Sequence, residues 1–314
     1  MRIRHWMLKA ALQGAISRLP RSQAWNAILQ RLKSRSESAD TQFKRFERTV
    51  AHCRWHLERY FAVRASSESG FSALELGTGW RPVAPIVLFL CGASKVLTVD
   101  IAPLLTRDAL RSELSLFLRY SEAGKLQEML PWVDKCRLGL LLDLSLRSES
   151  MPLRQMLESI QVQLMIGDSR HMADTSGSVD LFISNNTLEH IPTEVIPAIF
   201  REFKRLGSKQ AVMSHHIVFA DEYAVFDSFI TPYNCMKFSE RWWRLFNNSL
   251  FYQNRLRPSD YRQIHNNTGW PIVGEEIVAG SVSDLRKVPL AAEFRRYSQE
   301  DLLALDWYVM SQSS

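Results

Sequence analysis

The chain has 314 residues, 46% hydrophobic and 23% charged. That composition excludes a disordered or fibrous chain and is enough for a large buried core. Four scattered cysteines (Cys53, Cys91, Cys136, Cys235) form no CxxC pair, so neither a disulfide framework nor a zinc site is expected and a reducing, cytoplasmic compartment fits. The net charge of +6 is uneven: residues 1–64 carry 14 Lys/Arg against 4 Asp/Glu, the remaining residues 25 against 29. A basic arm on a mildly acidic body points either to a negatively charged partner or to a solvated helical face.

In chain order, residues 4–18 place Trp6, Leu8, Ala11, Leu12, Ala15 and Ile16 at helical spacing. Pro20 ends that pattern. Lys9 and Gln13 interrupt its apolar stretch, so no signal-peptide pattern is present. "AWNAILQRL" predicts a second short helix, "KSRSESADT" a polar linker, and "TQFKRFERTVAHCRWHLERYFAV" a long amphipathic helix leading into the body. From residue 71 short apolar strands alternate with helices: "FSALELG", "KVLTVDI", "VQLMIGD", "VDLFISN" and "QAVMSHHIV" as strands, "PVAPIVLFLCGA" and "TEVIPAIFREFKRL" as helices. Residues 103–160 read as helical and exceed a simple crossover. After a second insertion at 219–258, "SDYRQIHNNTG" reads as a helix, and "PIVGEEIVA" and "DWYVMSQ" as the last two strands. The alternation predicts a doubly wound, mostly parallel α/β sheet. The organisation expected is a basic helical arm over 1–64 and one domain over 65–314, with the insertions at 103–160 and 219–258 covering its cleft as helical lids.

The segment "LELGTGWRP" carries the chemistry. Gly77 and Gly79 follow the first strand directly and allow a tight turn with close approach of a ligand. Asp100 lies 21 residues after Gly79, at the end of the next strand, where a carboxylate can accept both hydroxyls of a ribose. A dinucleotide fingerprint needs a third glycine beneath its pyrophosphate; Pro82 holds that position, and Glu75 stands two residues before the first glycine. A ribose cofactor with a charged amino-acid tail and no phosphate fits better, which is S-adenosylmethionine.

At these residues the chain resembles the class I S-adenosylmethionine-dependent methyltransferases. The resemblance covers about residues 71–218: "ELGTGW", "VLTVDI", "GDSRHM" and "VDLFISNNTLEHIP" match the family's motifs in order. It implies a seven-stranded Rossmann-like sheet with an antiparallel edge. It also implies cofactor contacts at Glu75, Gly77, Thr78, Gly79, Asp100, Ile101, Gly167, Asp168, Ser169 and Asn185, with Asp168 reaching the adenine amino group. Arg81 departs from the family, standing where many relatives have glycine, and is a candidate contact for substrate or a carboxylate.

Methyl transfer from a sulfonium is an in-line displacement that needs alignment and, for many acceptors, proton removal. Candidate bases are His190, His216, His215, Asp221 and Tyr223, histidine first because it titrates near neutral pH. The His215, His216, Asp221, Glu222 and Asp227 cluster could also suit a divalent ion, but adjacent strand residues face opposite ways and no metal is expected. Tyr223, Asn254, Arg255 and Arg257 are candidate substrate contacts, because such residues line sites for polar or anionic ligands. A small-molecule, glycan or lipid-linked acceptor is expected. Two alternatives remain: an RNA methyltransferase using the basic arm, against which stand an acidic body and no RNA-binding module, and a non-catalytic cofactor-binding protein. Residues 1–20 could dock weakly on the inner face of an anionic membrane, or pack on the domain or a second copy.

Overall fold

The protein is described by a computed structural model covering residues 5–18, 38–64, 70–173 and 177–313. The expected helix "AWNAILQRL", most of the expected linker and Pro20 lie outside the described residues. Among them the helices are α1 (His5–Ser17), α2 (Ala39–Arg64), α3 (Val83–Leu90), α4 (Arg107–Glu122), α5 (Lys125–Met129), α6 (Lys135–Arg147), α7 (Leu153–Ser159), α8 (Ile196–Leu206), α9 (Glu240–Phe246), α10 (Pro258–Asn267), α11 (Val282–Arg286) and α12 (Gln299–Leu303). The strands are β1 (Ser72–Leu76), β2 (Lys95–Asp100), β3 (Val162–Ile166), β4 (Val179–Asn185), β5 (Gly207–Val218), β6 (Ile272–Ala279) and β7 (Ala304–Gln312).

The strands form one seven-stranded sheet in the order β3-β2-β1-β4-β5-β7-β6. Neighbours from β3 to β5 pair in parallel, and β7 runs antiparallel between β5 and β6. This is the sheet the motif order implies. The chain leaves β1 for β2 on one side and returns for β4 on the other. The carboxyl ends of β1 and β4 therefore flank the switch point where open α/β sheets leave a crevice. β1 and β2 are covered on both faces, so "ALEL" and "VLTV" are buried throughout and apolar except for Glu75 and Thr98, which pair with each other.

One side of the core is built largely by α2, as its amphipathic run into the body implies, and by the helices of 103–160, whose role differs from the expected one. α2 buries Phe46, Val50, Cys53, Leu57 and Tyr60, spaced three or four apart, against α3 and the sheet. Fully burying one such large side chain contributes about 1.5–3 kcal/mol, so residues 39–64 are part of the body's core. The helices of 103–160 join the same cluster through Leu110, Leu114, Phe117, Leu126, Leu141 and Leu144. They thicken the α3 side of the sheet and do not roof the cleft.

The second insertion forms a separate apolar cluster with α1: Trp6, Ala10, Tyr223, Tyr233, Met236 and Trp243. The Trp6 ring lies 4.9 Å from that of Phe246 and 5.4 Å from that of Tyr223. Within α9, Trp243 is buried and Trp242 exposed, as adjacent helix positions must diverge. Leu8 and Leu12, on the far side of α1 from Trp6, are exposed. No helix among the described residues is long and apolar enough to cross a membrane.

Candidate active site

A cleft of about 720 Å³ opens at the carboxyl ends of β1, β2 and β4. All ten expected cofactor contacts line it: Glu75, Gly77, Thr78, Gly79, Asp100, Ile101, Gly167, Asp168, Ser169 and Asn185. Arg81 lines it as well.

The turn after β1 explains both glycines. Gly77 has φ 86°, a left-handed conformation that favours glycine. A Cβ there would sit 2.6 Å from Thr187 Cγ2 of the loop after β4, so the two loops meet only because the side chain is missing. Gly79 has φ 61°, and its N–H donates to Asp100 Oδ2 at 2.8 Å. The Ala102 N–H donates to Asp100 Oδ1 at 3.1 Å. Asp100 is thereby fixed at the mouth of β2 with acceptor capacity left, since each carboxylate oxygen takes two bonds.

The start of α3 decides which cofactor fits. A pyrophosphate would need several backbone donors there. Pro82 and Pro85 have no N–H, and the Ile86 N–H is used by Pro82 O at 3.3 Å. Arg81 turns away to Glu113, donating to Oε1 at 2.7 Å. The first turn of this helix is poor at holding phosphate.

Glu75 lies under the turn, 4% exposed, and accepts from Thr98 Oγ1 at 2.7 Å. Burial pushes its carboxyl up to about 8 against the lowering effect of that hydrogen bond. It is protonated at neutral pH unless a cation comes close. Ile101, largely exposed, presents an apolar face beside Asp100. Asp168 is also exposed and accepts a two-pronged contact from Arg170, with Nε at 2.9 Å; that hydrogen bond holds its carboxyl down to about 2. Asn185 is braced from behind, accepting from His56 Nε2 at 3.0 Å while His56 Nδ1 meets Ser214 Oγ at 2.7 Å.

The expected bases fare differently. His190 lines the cleft, but both ring nitrogens face acceptors: Nδ1 meets Tyr252 O at 2.7 Å and Nε2 meets Glu222 at 3.0 Å. Burial alone would lower its pKa; the Glu222 hydrogen bond and the Glu189 and Glu222 charges outweigh it and raise it to about 9. Both ring nitrogens are thus engaged and the neighbouring carboxylates favour the charged form, which leaves His190 poorly placed to accept a proton. His216 is also engaged on both nitrogens, by Asn186 Oδ1 at 2.6 Å and Asp306 Oδ1 at 3.0 Å. His215 points to the opposite face, as strand alternation requires. There it contacts Ser184 Oγ at 2.8 Å and stacks on Phe200, and burial holds its pKa well below the usual range. Asp221 is buried as a cap, accepting from Tyr223 N–H and Asn234 Nδ2 at 2.8 Å. Tyr223 is packed in the α1 cluster with its hydroxyl 3.3 Å from Phe246 O. His215, His216, Asp221 and Tyr223 line none of the cleft. Nor do the described His, Cys, Asp and Glu side chains form a group arranged to hold a metal ion.

The expected substrate contacts in "YQNRLRP" are also turned inward. Asn254 Nδ2 donates to Leu188 O and Ile191 O at 2.8 and 2.9 Å. Arg255 donates to Cys235 O and Phe238 O and pairs with Glu240. Arg257, 1% exposed, donates to Asp301 O from both Nε and Nη2, at 2.9 and 2.6 Å. These side chains tie irregular backbone together and do not reach the cleft. Glu189 has a similar role, its Oε1 accepting from Val218 N–H at 3.3 Å.

Sequence reasoning missed α2 as a cleft wall. Arg45, Arg48, Thr49 and His52 line the cavity at i, i+3, i+4 and i+7. The signal was present: a polar stripe of that spacing beside the apolar stripe of Phe46, Val50, Cys53 and Leu57.

No family model matches the chain, and no curated protein matches it. Among solved structures it is similar to geranyl diphosphate methyltransferase in complex with GPP and sinefungin, at 10% identity over 84% of this chain and 78% of that one, TM-score 0.46. It is similar to magnesium protoporphyrin IX methyltransferase from Synechocystis PCC 6803 with SAH bound, at 15% identity over 84% of each chain, TM-score 0.43. A SAM-dependent methyltransferase from Methanosarcina mazei matches at 12% identity over 78% of this chain and 93% of that one, TM-score 0.43. The fold assignment rests on the chain's own strand order.

Proposed function

We propose that the chain is an S-adenosylmethionine-dependent methyltransferase acting on a small-molecule, glycan or lipid-linked acceptor. The observation that carries this is the pairing of a rigid Asp100 at the end of β2 with an α3 start whose first turn is poor in phosphate donors, two of its four residues being proline. A ribose is provided for and a pyrophosphate is not. In this reading Asp100 takes the ribose hydroxyls, Ile101 packs against the adenine, and Asp168 and Ser169 face its edge. The amino-acid tail lies over Gly77 and Gly79, its ammonium near Glu75. Asn185 stands at the other side of the tail.

Rate enhancement in this reading comes from alignment in the cleft, since His190 and His216 are each engaged on both ring nitrogens. A crystal structure with S-adenosylhomocysteine tests the assignment. The ribose hydroxyls are expected within hydrogen-bond distance of Asp100; a ligand seated elsewhere would overturn it. Once an acceptor is known, the pH–rate profile tests the catalytic part. An ascending limb near pH 6–7 that vanishes in a histidine variant would restore a histidine base.

The exposed Leu8 and Leu12 of α1 and Trp242 and Leu245 of α9 support weak docking on a membrane surface, with the basic residues of the arm meeting anionic lipid. Flotation with anionic vesicles at low salt is expected to carry the full chain, and a chain lacking residues 1–20 less. Equal behaviour of the two would contradict docking through α1.

A further inference from the structure

His52 stands apart from the histidines around it. It sits on the face of α2 that walls the cleft, one turn before His56. His56, His190 and His216 are each engaged on both ring nitrogens. The His52 ring instead packs 4.0 Å from that of His216 and 5.6 Å from that of Tyr308, centre to centre. Asn185 offers it one hydrogen bond, and an imidazole has a second nitrogen. Burial, with the His216, His56 and Arg48 charges acting in the same direction, lowers its pKa to about 2. No carboxylate is among the groups that act on it. His52 therefore brings a neutral ring, with one donor and one acceptor nitrogen, to the cleft wall.

The end of β4 meets it there. Asn185 lines the cleft, turns Oδ1 to His56, and leaves Nδ2 buried without a partner. A buried donor in that state is rare in folded proteins. Asn186, the next residue, lines the cleft in the left-handed conformation, φ 52°. Its N–H donates to His216 O at 3.1 Å and its Oδ1 takes His216 Nδ1 at 2.6 Å, which leaves Nδ2 as its donor end. Backbone strain of this kind persists where the surroundings over-determine it, and it gathers at ligand sites. The wall thus sets amide donors beside an imidazole acceptor. A hydroxyl answers both, since it gives one proton and accepts another hydrogen bond. A carboxylate or phosphate dianion has no proton for the imidazole. An ammonium has no lone pair for the amides and meets no carboxylate here.

We propose that His52, with the amide donors of Asn185 and Asn186, binds a hydroxyl group of the methyl acceptor. The inference rests on the methyltransferase reading and names the acceptor's class, an uncharged alcohol or phenol.

The test uses the full chain saturated with S-adenosylhomocysteine and titrated by calorimetry with benzyl alcohol, benzoate and benzylammonium, probes of similar shape and different charge. Benzyl alcohol is expected to bind most tightly and to weaken tenfold or more in His52→Phe, which keeps a ring against His216 and Tyr308. Affinity for S-adenosylhomocysteine is expected to change less than twofold. Asn186→Gly, which suits the left-handed backbone and removes the amide, is the second variant, expected to weaken benzyl alcohol in the same direction. Preference for a charged probe, no binding of benzyl alcohol, or binding indifferent to both variants would overturn the hydroxyl site. So would equal weakening of all three probes in His52→Phe, because the ring would then serve packing alone. The titrations are repeated on the chain without cofactor. If wild type fails to bind S-adenosylhomocysteine, the function reading falls, and the probes still decide the hydroxyl site.

Discussion

The loops after β1 and β2 and the segment 219–258 are both rich in polar residues, yet they use them in opposite ways. In the loops, Asp100 is fixed by two backbone N–H groups and keeps acceptor capacity for a ligand. In the segment, Asn254, Arg255 and Arg257 spend their donors on backbone carbonyls. The reason is the backbone. A strand end hands its carboxyl-terminal residues to a crevice with the ladder already satisfied, so a side chain there is available. Irregular chain has carbonyls without ladder partners, and buried ones must be paired. Polar side chains in such a segment are consumed before any substrate arrives.

Removing one residue from each region separates the two uses. The largest effect is expected from Arg257→Ala, which leaves the carbonyls of Asp301, Leu302 and Ala304 buried without that donor. Leaving buried groups unsatisfied costs about 1–3 kcal/mol each, so a loss of about 3 kcal/mol is expected, roughly 4–6 °C in melting temperature for a chain of this size. Thermal unfolding checks this; a variant melting like wild type would mean that Arg257 is not a brace. Asp100→Ala gives the converse pattern, at least ~1.4 kcal/mol or tenfold lost in cofactor affinity with little change in melting temperature. Calorimetry and a thermal melt on the same sample report both.

How much was legible follows the same division. The strands, the Gly77 and Gly79 turn, Asp100 and the antiparallel edge could be read because apolar runs, left-handed glycines and strand-end acids follow from local geometry. The inward turn of Arg255 and Arg257 could not, since it depends on which distant carbonyls lack partners. Nor could the state of His190, which is set by Glu222 and Tyr252 far along the chain. The 103–160 helices looked like a lid because their length was visible and their packing partners, α3 and α2, were not.

A smaller effect sharpens the loop side. Glu75 is raised to about 8 by burial, and a nearby ammonium favours its ionised form. Binding S-adenosylhomocysteine at pH 7 should therefore release up to one proton. Apparent affinity should rise between pH 6 and 8, at most about tenfold per unit, and flatten above 8. Calorimetry in buffers of different ionisation enthalpy measures the release, and Glu75→Gln is expected to abolish it. The smallest effect is expected at His190. His190→Gln should lower turnover by less than about tenfold, against the 10²–10⁴ lost with a general base; a loss in that larger range, on an identified acceptor, would make His190 the base.

The most direct measurement is calorimetry of the wild-type chain with S-adenosylhomocysteine and with NAD, side by side, followed by Asp100→Ala. The account predicts binding of S-adenosylhomocysteine, no comparable binding of NAD, and at least a tenfold loss in the variant. Tighter binding of NAD, or an affinity for S-adenosylhomocysteine unchanged by Asp100→Ala in a folded protein, would contradict it.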